Sequence, residues 1–192
     1  MDASYKKYIT WIVIASIIMY LSLEFLIPSN SYTDNISYTI SIVTFLSWIY
    51  VKWLWKKNPL EKVPKLHKLY RGKIVSEYDG IERDVEIKIK QSLFKLQISL
   101  KTDESQSKTF MSKLYDSYGE TMLSYAYLNT PDAIVRNKSQ IHYGMCSLNV
   151  QDTRNLTGQY FTDRKTIGDI RLSAVINKDK EINHIKRQTI SN

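Results

Sequence analysis

The chain has 192 residues, with 27 Lys and Arg against 19 Asp and Glu and a formal net charge of +8. That length allows one ordinary domain with an appendage, not two full-size domains. Six Gly and four Pro exclude a collagen-like or Gly/Pro-rich disordered chain, and the single Cys146 excludes an intramolecular disulfide and any zinc site needing two cysteines.

Two apolar blocks open the chain. From Tyr8 to Ile27, 16 of 20 residues are apolar, and from Ile36 to Trp55, 14 of 20 are. Twenty helical residues span roughly 30 Å, the hydrocarbon thickness of a bilayer. The pattern predicts two transmembrane helices, about 8–27 and 36–55, joined as an antiparallel hairpin by the connector Pro28 to Asn35. The first block is too long for a signal-peptide core, and no small-residue cleavage site follows it. Glu24 lies four residues from Pro28, which suits an interfacial carboxylate. The second block carries Ser37, Thr39, Ser41, Thr44 and Ser47, so an amphipathic surface helix is its alternative reading. Those hydroxyls can bond back to their own helix or across to its neighbour. Trp48, Tyr50, Trp53 and Trp55 make an aromatic belt at one end, where Lys52 can snorkel. Lys6 and Lys7 precede the first block, and Lys56, Lys57, Lys62 and Lys65 follow the second, while the connector has no Lys or Arg. The positive-inside rule predicts a multi-pass protein with both termini in the cytoplasm.

The stretch Asn58 to Lys68, NPLEKVPKLHK, reads as a linker. After it the hydrophobic period changes to two. Val85, Ile87 and Ile89 alternate with charged residues, as do Leu96, Ile98 and Leu100 with polar ones. Alternation of this kind marks half-buried strands. Eight strands are predicted, at about 69–78, 84–91, 93–101, 106–117, 120–130, 139–150, 153–164 and 167–178. Turn signals include Asp79-Gly80, Tyr118-Gly119 and Pro131-Asp132. Eight short sequential strands predict an all-β domain, an up-and-down, lipocalin-like eight-stranded barrel over 69–178. A barrel of that size can be filled by side chains or hold one small ligand. Residues 179–192 read as a polar tail.

No phosphate-loop, dinucleotide, nucleophile-elbow or H-E-x-x-H motif occurs, and His67, His142 and His184 are scattered. The expectation is a protein that is not an enzyme and holds no metal and no cofactor. Two segments are polar and aromatic beyond the needs of a strand: Tyr125 to Pro131, and Gly158 to Gly168. In an ideal strand Tyr125, Tyr127 and Asn129 share one face, as do Tyr160, Thr162 and Arg164. Aromatic faces stack on bases, a guanidinium grips a phosphate, and amides and hydroxyls read base edges and sugars. The plainer reading is that Tyr and Thr are good strand formers and a terminal Arg is solvated. His142 can equally be a packed or surface histidine, and Cys146 a small buried residue.

The succession Tyr127-Leu-Asn-Thr-Pro131, His142-Tyr-Gly144, Gly158-Gln-Tyr-Phe-Thr-Asp-Arg164 and Gly168-Asp-Ile-Arg-Leu172, behind two apolar helices, resembles the CD-NTase-associated protein fifteen family. These are the two-transmembrane, β-strand-rich effectors of bacterial CBASS anti-phage systems. The first strand departs from the family pattern, with Ile74 two places after Gly72 where a tryptophan is expected. The resemblance implies a barrel that senses a cyclic dinucleotide made by a partner CD-NTase, with no DNA or RNA partner. It further implies oligomerisation on binding, disruption of the inner membrane and its lipids, and abortive-infection death of the cell. The ligand-binding residues it selects are Arg164, Tyr160, Thr162, Asn129, Tyr127 and His142. From Asn58 onward the chain has 22 basic and 16 acidic residues, a balance that suits a dianion and equally an anionic membrane surface. The alternative is a membrane-anchored lipocalin-like barrel that binds an apolar small ligand.

Overall fold

The computed structural model describes residues 3–28, 31–137 and 139–176. They form two compact units: residues up to 63 together with 92–94, and residues 64–91 with those from 95 onward. The polar tail predicted at 179–192 lies outside the described residues, as do Ser29 and Asn30 of the connector.

The first unit is a helical hairpin. Helix α1 (Ala3–Leu26) has no Gly or Pro to interrupt it and ends just before Pro28, which cannot continue it. It is apolar all round, with Trp11, Ile18, Leu21 and Phe25 exposed, the pattern of a helix surrounded by hydrocarbon. Its stretch Tyr5–Leu26 has a mean hydropathy of 2.0 and is long and apolar enough to cross a membrane. Helix α2 (Tyr32–Lys52) begins four residues before the expected start at 36, because Ser31 caps it by accepting the Asp34 N–H at 3.2 Å. It stops at Lys52, short of the expected 55, and a 3-10 turn (Leu54–Lys57) follows. Ser37 and Ser41 donate to carbonyls one turn back, at 2.8 and 2.9 Å. Among the described residues α1 alone meets the length and apolarity of a membrane span. Tyr8 stacks on Tyr50 and donates to the Ser47 carbonyl at 3.2 Å, so the helices run antiparallel. Lys52 sits 4.7 Å from the ring centres of both Trp48 and Trp53, a pair of cation–π contacts.

In the second unit eight antiparallel strands follow in chain order: β1 (Leu69–Ser76), β2 (Glu82–Gln91), β3 (Leu96–Lys101), β4 (Ser105–Ser117), β5 (Glu120–Pro131), β6 (His142–Asn149), β7 (Asn155–Thr162) and β8 (Ile167–Ala174). Each pairs with its neighbour in sequence, and β1 pairs with β8, running from Tyr70 opposite Ala174 to Ser76 opposite Gly168. The barrel is therefore closed and has no free edge. The Tyr118-Gly119 turn between β4 and β5 has positive φ at both residues, 50° and 84°, as the tight hairpin turn requires. Several strand limits differ from expectation by two to four residues. β1 ends at Ser76, β2 begins at Glu82, β3 at Leu96 and β7 at Asn155. β6 starts at His142 because residues 132–137 and 139–141 lie outside any strand and include a short 3-10 turn (Ala133–Val135), β7 ends at Thr162, and β8 ends at Ala174, with 177–178 of its expected span outside the described residues.

β4 departs from regular pairing. The register slips between Thr109 and Met111, a bulge that leaves Phe110 and Met111 both outside. Pairing of β3 with β4 is regular only from Ser99 to Lys101. Beyond it side chains replace the ladder. The Thr109 hydroxyl accepts the Ile98 N–H and donates to the Ile98 carbonyl, both at 2.6 Å, and Ser112 donates to the Leu96 carbonyl at 2.6 Å.

The inward residues grade from apolar to polar along β1, β2, β5, β6 and β7. Val85, Ile87 and Ile89 of β2, Leu123 of β5, Leu148 of β6, Leu156 of β7 and Leu172 of β8 fill one end of the barrel. Tyr70 is wholly buried among them. Its hydroxyl donates to the Thr153 carbonyl at 2.7 Å and accepts the His67 N–H at 2.9 Å. Toward the other end the same strands carry Ser76, Arg83, Asn129, His142 and Thr162 inward. The strands come together closely at Gly158, where a Cβ would lie 1.9 Å from the Ser147 carbonyl oxygen. Because that neighbour is backbone, Gly158→Ala should lower the stability of the barrel by about 1–3 kcal/mol, as overpacking does. Thr157→Ala, at an exposed neighbouring position, should stay within about 0.5 kcal/mol of wild type in the same chemical denaturation series.

Candidate functional site

The polar end of the barrel encloses a cavity of about 720 Å³, within the range of about 300–1,000 Å³ common for small-molecule sites. All six residues selected from the sequence, Tyr127, Asn129, His142, Tyr160, Thr162 and Arg164, line it. Cross-strand register arranges them in tiers. Tyr125, Cys146, Tyr160 and Gly168 are successive partners across β5 to β8. Tyr127, Gly144 and Thr162 form the next tier, and Ser107, Asn129 and His142 the outermost.

Two glycines make room for two rings. A Cβ on Gly144 would lie 2.3 Å from Cζ of Tyr127, and one on Gly168 would lie 2.5 Å from Cε1 of Tyr160. Each ring thus lies over a partner without a side chain, which leaves cavity above it inside a barrel too narrow for opposed large residues. Burial raises the Tyr125 and Tyr127 hydroxyls above the usual phenol range, so both stay protonated and can donate. Burial also pushes the Cys146 thiol up to about 12. A thiol of that kind is inert as a nucleophile.

The outer tier is polar and ordered. Ser107 donates to Oδ1 of Asn129 at 2.7 Å, and among the described residues the Asn129 amide N–H₂ has no protein acceptor. Nδ1 of His142 is 2.9 Å from the Gln140 carbonyl. A carbonyl only accepts, so Nδ1 carries the proton and the neutral ring keeps Nε2 as an acceptor. Thr162 and Thr166 share a hydroxyl hydrogen bond of 2.6 Å across the β7–β8 turn. Arg164 sits in that turn and not on a strand, contrary to the ideal alternation that placed it beside Tyr160 and Thr162. Lys165, with φ at 63°, reverses the chain there. Arg164 nonetheless reaches the cavity rim, exposed, with one N–H donated to the Ser139 hydroxyl at 3.2 Å.

Several lining residues escaped selection from the sequence: Asp79, Arg83, Glu104 and Ser107 among them. Arg83 had a legible signal. It shares parity with Val85, Ile87 and Ile89, whose side chains all face inward. Ser107 is recognisable only once the register sets it opposite Asn129. Arg83 is paired with Asp79 through both carboxylate oxygens, and that pairing holds the Asp79 carboxyl down at about 2. Among the described residues no three His, Cys, Asp or Glu side chains cluster as metal ligands.

Burial, with the Arg164 charge nearby, lowers His142 below the usual histidine range. The unfolded chain takes up a proton near pH ~6.5, while the folded one resists until a lower pH, so this residue's contribution to stability is present above pH ~6.5 and is lost as the pH falls toward the folded value. Denaturation midpoints measured from about pH 7.5 to about 5 should therefore fall less steeply in His142→Asn than in wild type. Parallel curves would mean that His142 titrates as a solvated side chain.

The sequence model of the Cap15 cyclic dinucleotide receptor domain matches residues 61–174. A protein named CD-NTase-associated protein 15 from Staphylococcus schleiferi is 28% identical over 174 residues, 84% of this chain and 91% of its own length. One of the same name from Escherichia albertii is 25% identical over 188 residues, 92% of this chain and 94% of its own. A redesigned β-barrel of known structure overlaps 58% of this chain and 92% of its own, with a TM-score of 0.45 and 9% identity. With more than half of its length matched, this chain belongs to the Cap15 cyclic dinucleotide receptor domain family.

Proposed function

We propose that this protein is a CBASS antiviral effector whose barrel binds a cyclic dinucleotide in its open, polar half. Occupied chains then self-associate, and the helical hairpins, both spanning the inner membrane with the chain termini in the cytoplasm, disrupt it and kill the infected cell. In this reading Tyr160 and Tyr127 present ring faces to the bases and Asn129 and His142 address base edges. Thr162 meets a sugar or phosphate oxygen, and Arg164 grips a phosphate. The observation that carries the reading is the tiered cavity, where ring faces seated over Gly144 and Gly168 sit beside an amide, a neutral imidazole and an arginine at the rim. Membership of a cyclic dinucleotide receptor family supports it. An apolar ligand suits the site less well, because the charges of Arg164, Glu104 and the Asp79–Arg83 pair belong to its lining and would lose water without gaining a polar contact from the ligand.

Calorimetry with cyclic di-AMP, cyclic di-GMP and cyclic di-UMP tests the roles. Arg164→Ala removes a charge-assisted contact and should cost about 1.5–3 kcal/mol, roughly ten- to hundredfold in affinity. Lys in its place should rescue only in part, for want of the planar fork. Tyr160→Ala should cost about 1–3 kcal/mol of stacking, while Tyr160→Phe should cost little. Asn129→Ala should change the preference among bases more than the affinity for the best of them. Equal losses for all ligands, together with a lower melting temperature, would assign these residues to holding the barrel together.

The division of labour has its own test. A chain beginning near Asn58 should fold, bind the ligand and leave cells alive, whereas the full chain kills them when the ligand is supplied. Toxicity of the shortened chain would contradict the role given to the helices.

A further inference from the structure

The cavity mouth holds a second arginine, Arg83, which is already occupied. Asp79 lies in the turn between β1 and β2, where Gly80 donates its N–H to the Ser76 carbonyl at 2.8 Å and has φ at 65°. Oδ1 of Asp79 accepts the Ile81 N–H at 3.1 Å and one Arg83 N–H at 3.2 Å. Its Oδ2 takes a second, short contact from the other guanidinium nitrogen. The two side chains are 25% and 37% exposed, and both line the cavity. Glu104 and Tyr160 lie close enough to act on the Arg83 charge. The carboxylate thus meets the guanidinium through two oxygens on two nitrogens, the fork that a phosphate uses equally well.

Resting on the proposed function, we propose that Arg83 grips a second phosphate of the ligand and that Asp79 occupies this position in the empty barrel, as a latch the ligand displaces. A cyclic dinucleotide carries two phosphodiesters, one negative charge on each. Arg164 and Arg83 come from different parts of the rim, the β7–β8 turn and the start of β2, and both belong to the lining of one cavity. They differ in what holds them. Arg164 spends a single N–H on a neutral hydroxyl, whereas Arg83 faces a carboxylate. A phosphate cannot take the Nη1–Nη2 edge of Arg83 while Asp79 holds it, because both oxyanions need the same pair of donors. Displacement is cheap, since a partly exposed ion pair contributes little to stability. The exchange releases the Asp79 side chain from Arg83 whenever the site is filled, while the Ile81 carbonyl, which accepts from Arg83 Nη1 at 3.3 Å, still ties the arginine to the turn. The latch also discriminates. A ligand with only one phosphodiester can use Arg164 and gains nothing at Arg83, so the site favours a cyclic dinucleotide over a cyclic mononucleotide.

Calorimetry on the full chain in detergent, with cyclic di-AMP, cyclic di-GMP and cyclic di-UMP as probes, tests the latch by a double-mutant cycle. Asp79→Asn should raise affinity for the bound probe about two- to fivefold, the worth of a partly exposed ion pair. Arg83→Ala should lower it about tenfold, and Arg83→Lys, which keeps the charge and more readily preserves the fold, should lower it by a smaller factor. In the Arg83→Ala background Asp79→Asn should have no further effect. If the Asp79→Asn gain persists there, Asp79 merely repels the ligand at a distance and the latch is overturned. No gain from Asp79→Asn, or unchanged affinity in both Arg83 variants, overturns it as well and makes the pair a staple of the turn. If no probe binds wild type, the proposed function falls and the latch with it. Binding that depends on Arg164 and not on Arg83 retracts the latch alone.

Discussion

Closing a sheet of eight strands leaves an interior only wide enough for side chains from the two walls to meet. The whole ligand end of this protein depends on how that limit is met. At the apolar end it is met in the ordinary way, with Leu123, Leu148, Leu156 and the wholly buried Tyr70 filling the space. At the polar end the chain alternates large with absent. Tyr127 faces Gly144 and Tyr160 faces Gly168 across the ladder, so each ring has a wall to lie on and open space beside it. The grade from Leu123 through Tyr125 and Tyr127 to Asn129 along β5 places apolar support, ring faces and hydrogen-bonding groups at successive depths. The rings and the amide of this cavity stand on strands paired on both sides, the most rigid elements available, while turns and loops supply Asp79, Glu104, Ser139 and Arg164 to its lining.

The hydroxyls serve the same constraint elsewhere. Thr109 and Ser112 bond to β3 backbone groups where the β4 bulge breaks the ladder. Backbone groups at this seam would otherwise face an interior without water. The bulge lies beside the β3–β4 seam, where regular pairing is shortest, and these side-chain bonds bridge that seam. Closure at β1–β8 needs no such device, since seven residue pairs span it.

Much of this was legible in the residues. The change from a helical to a twofold period after Lys68 marks the barrel, and Tyr118-Gly119 marks its tightest turn. Tyr125, Tyr127 and Asn129 could be assigned to one face because β5 has no bulge between them. Arg164 could not, because β7 stops at Thr162 and a turn residue need not follow strand alternation. Its place in the cavity comes from the Lys165 reversal, which depends on tertiary pairing of β7 with β8. The start of α2 was hidden for a different reason. Hydrophobic periodicity begins at Ile36, whereas the helix begins where Ser31 caps it, four polar-rich residues earlier. The slip at Thr109 had no signal at all, since Phe110 and Met111 read as one inward and one outward residue until the register sets both outside.

A crystal structure of the chain with a bound cyclic dinucleotide tests the central claim most directly. The account predicts the ligand inside the polar half of the barrel, with a base on the Tyr160 or Tyr127 ring and a phosphate within hydrogen-bond distance of Arg164. A ligand bound on the outer face of the sheet, or density for an acyl chain between Tyr127 and Tyr160, would contradict it.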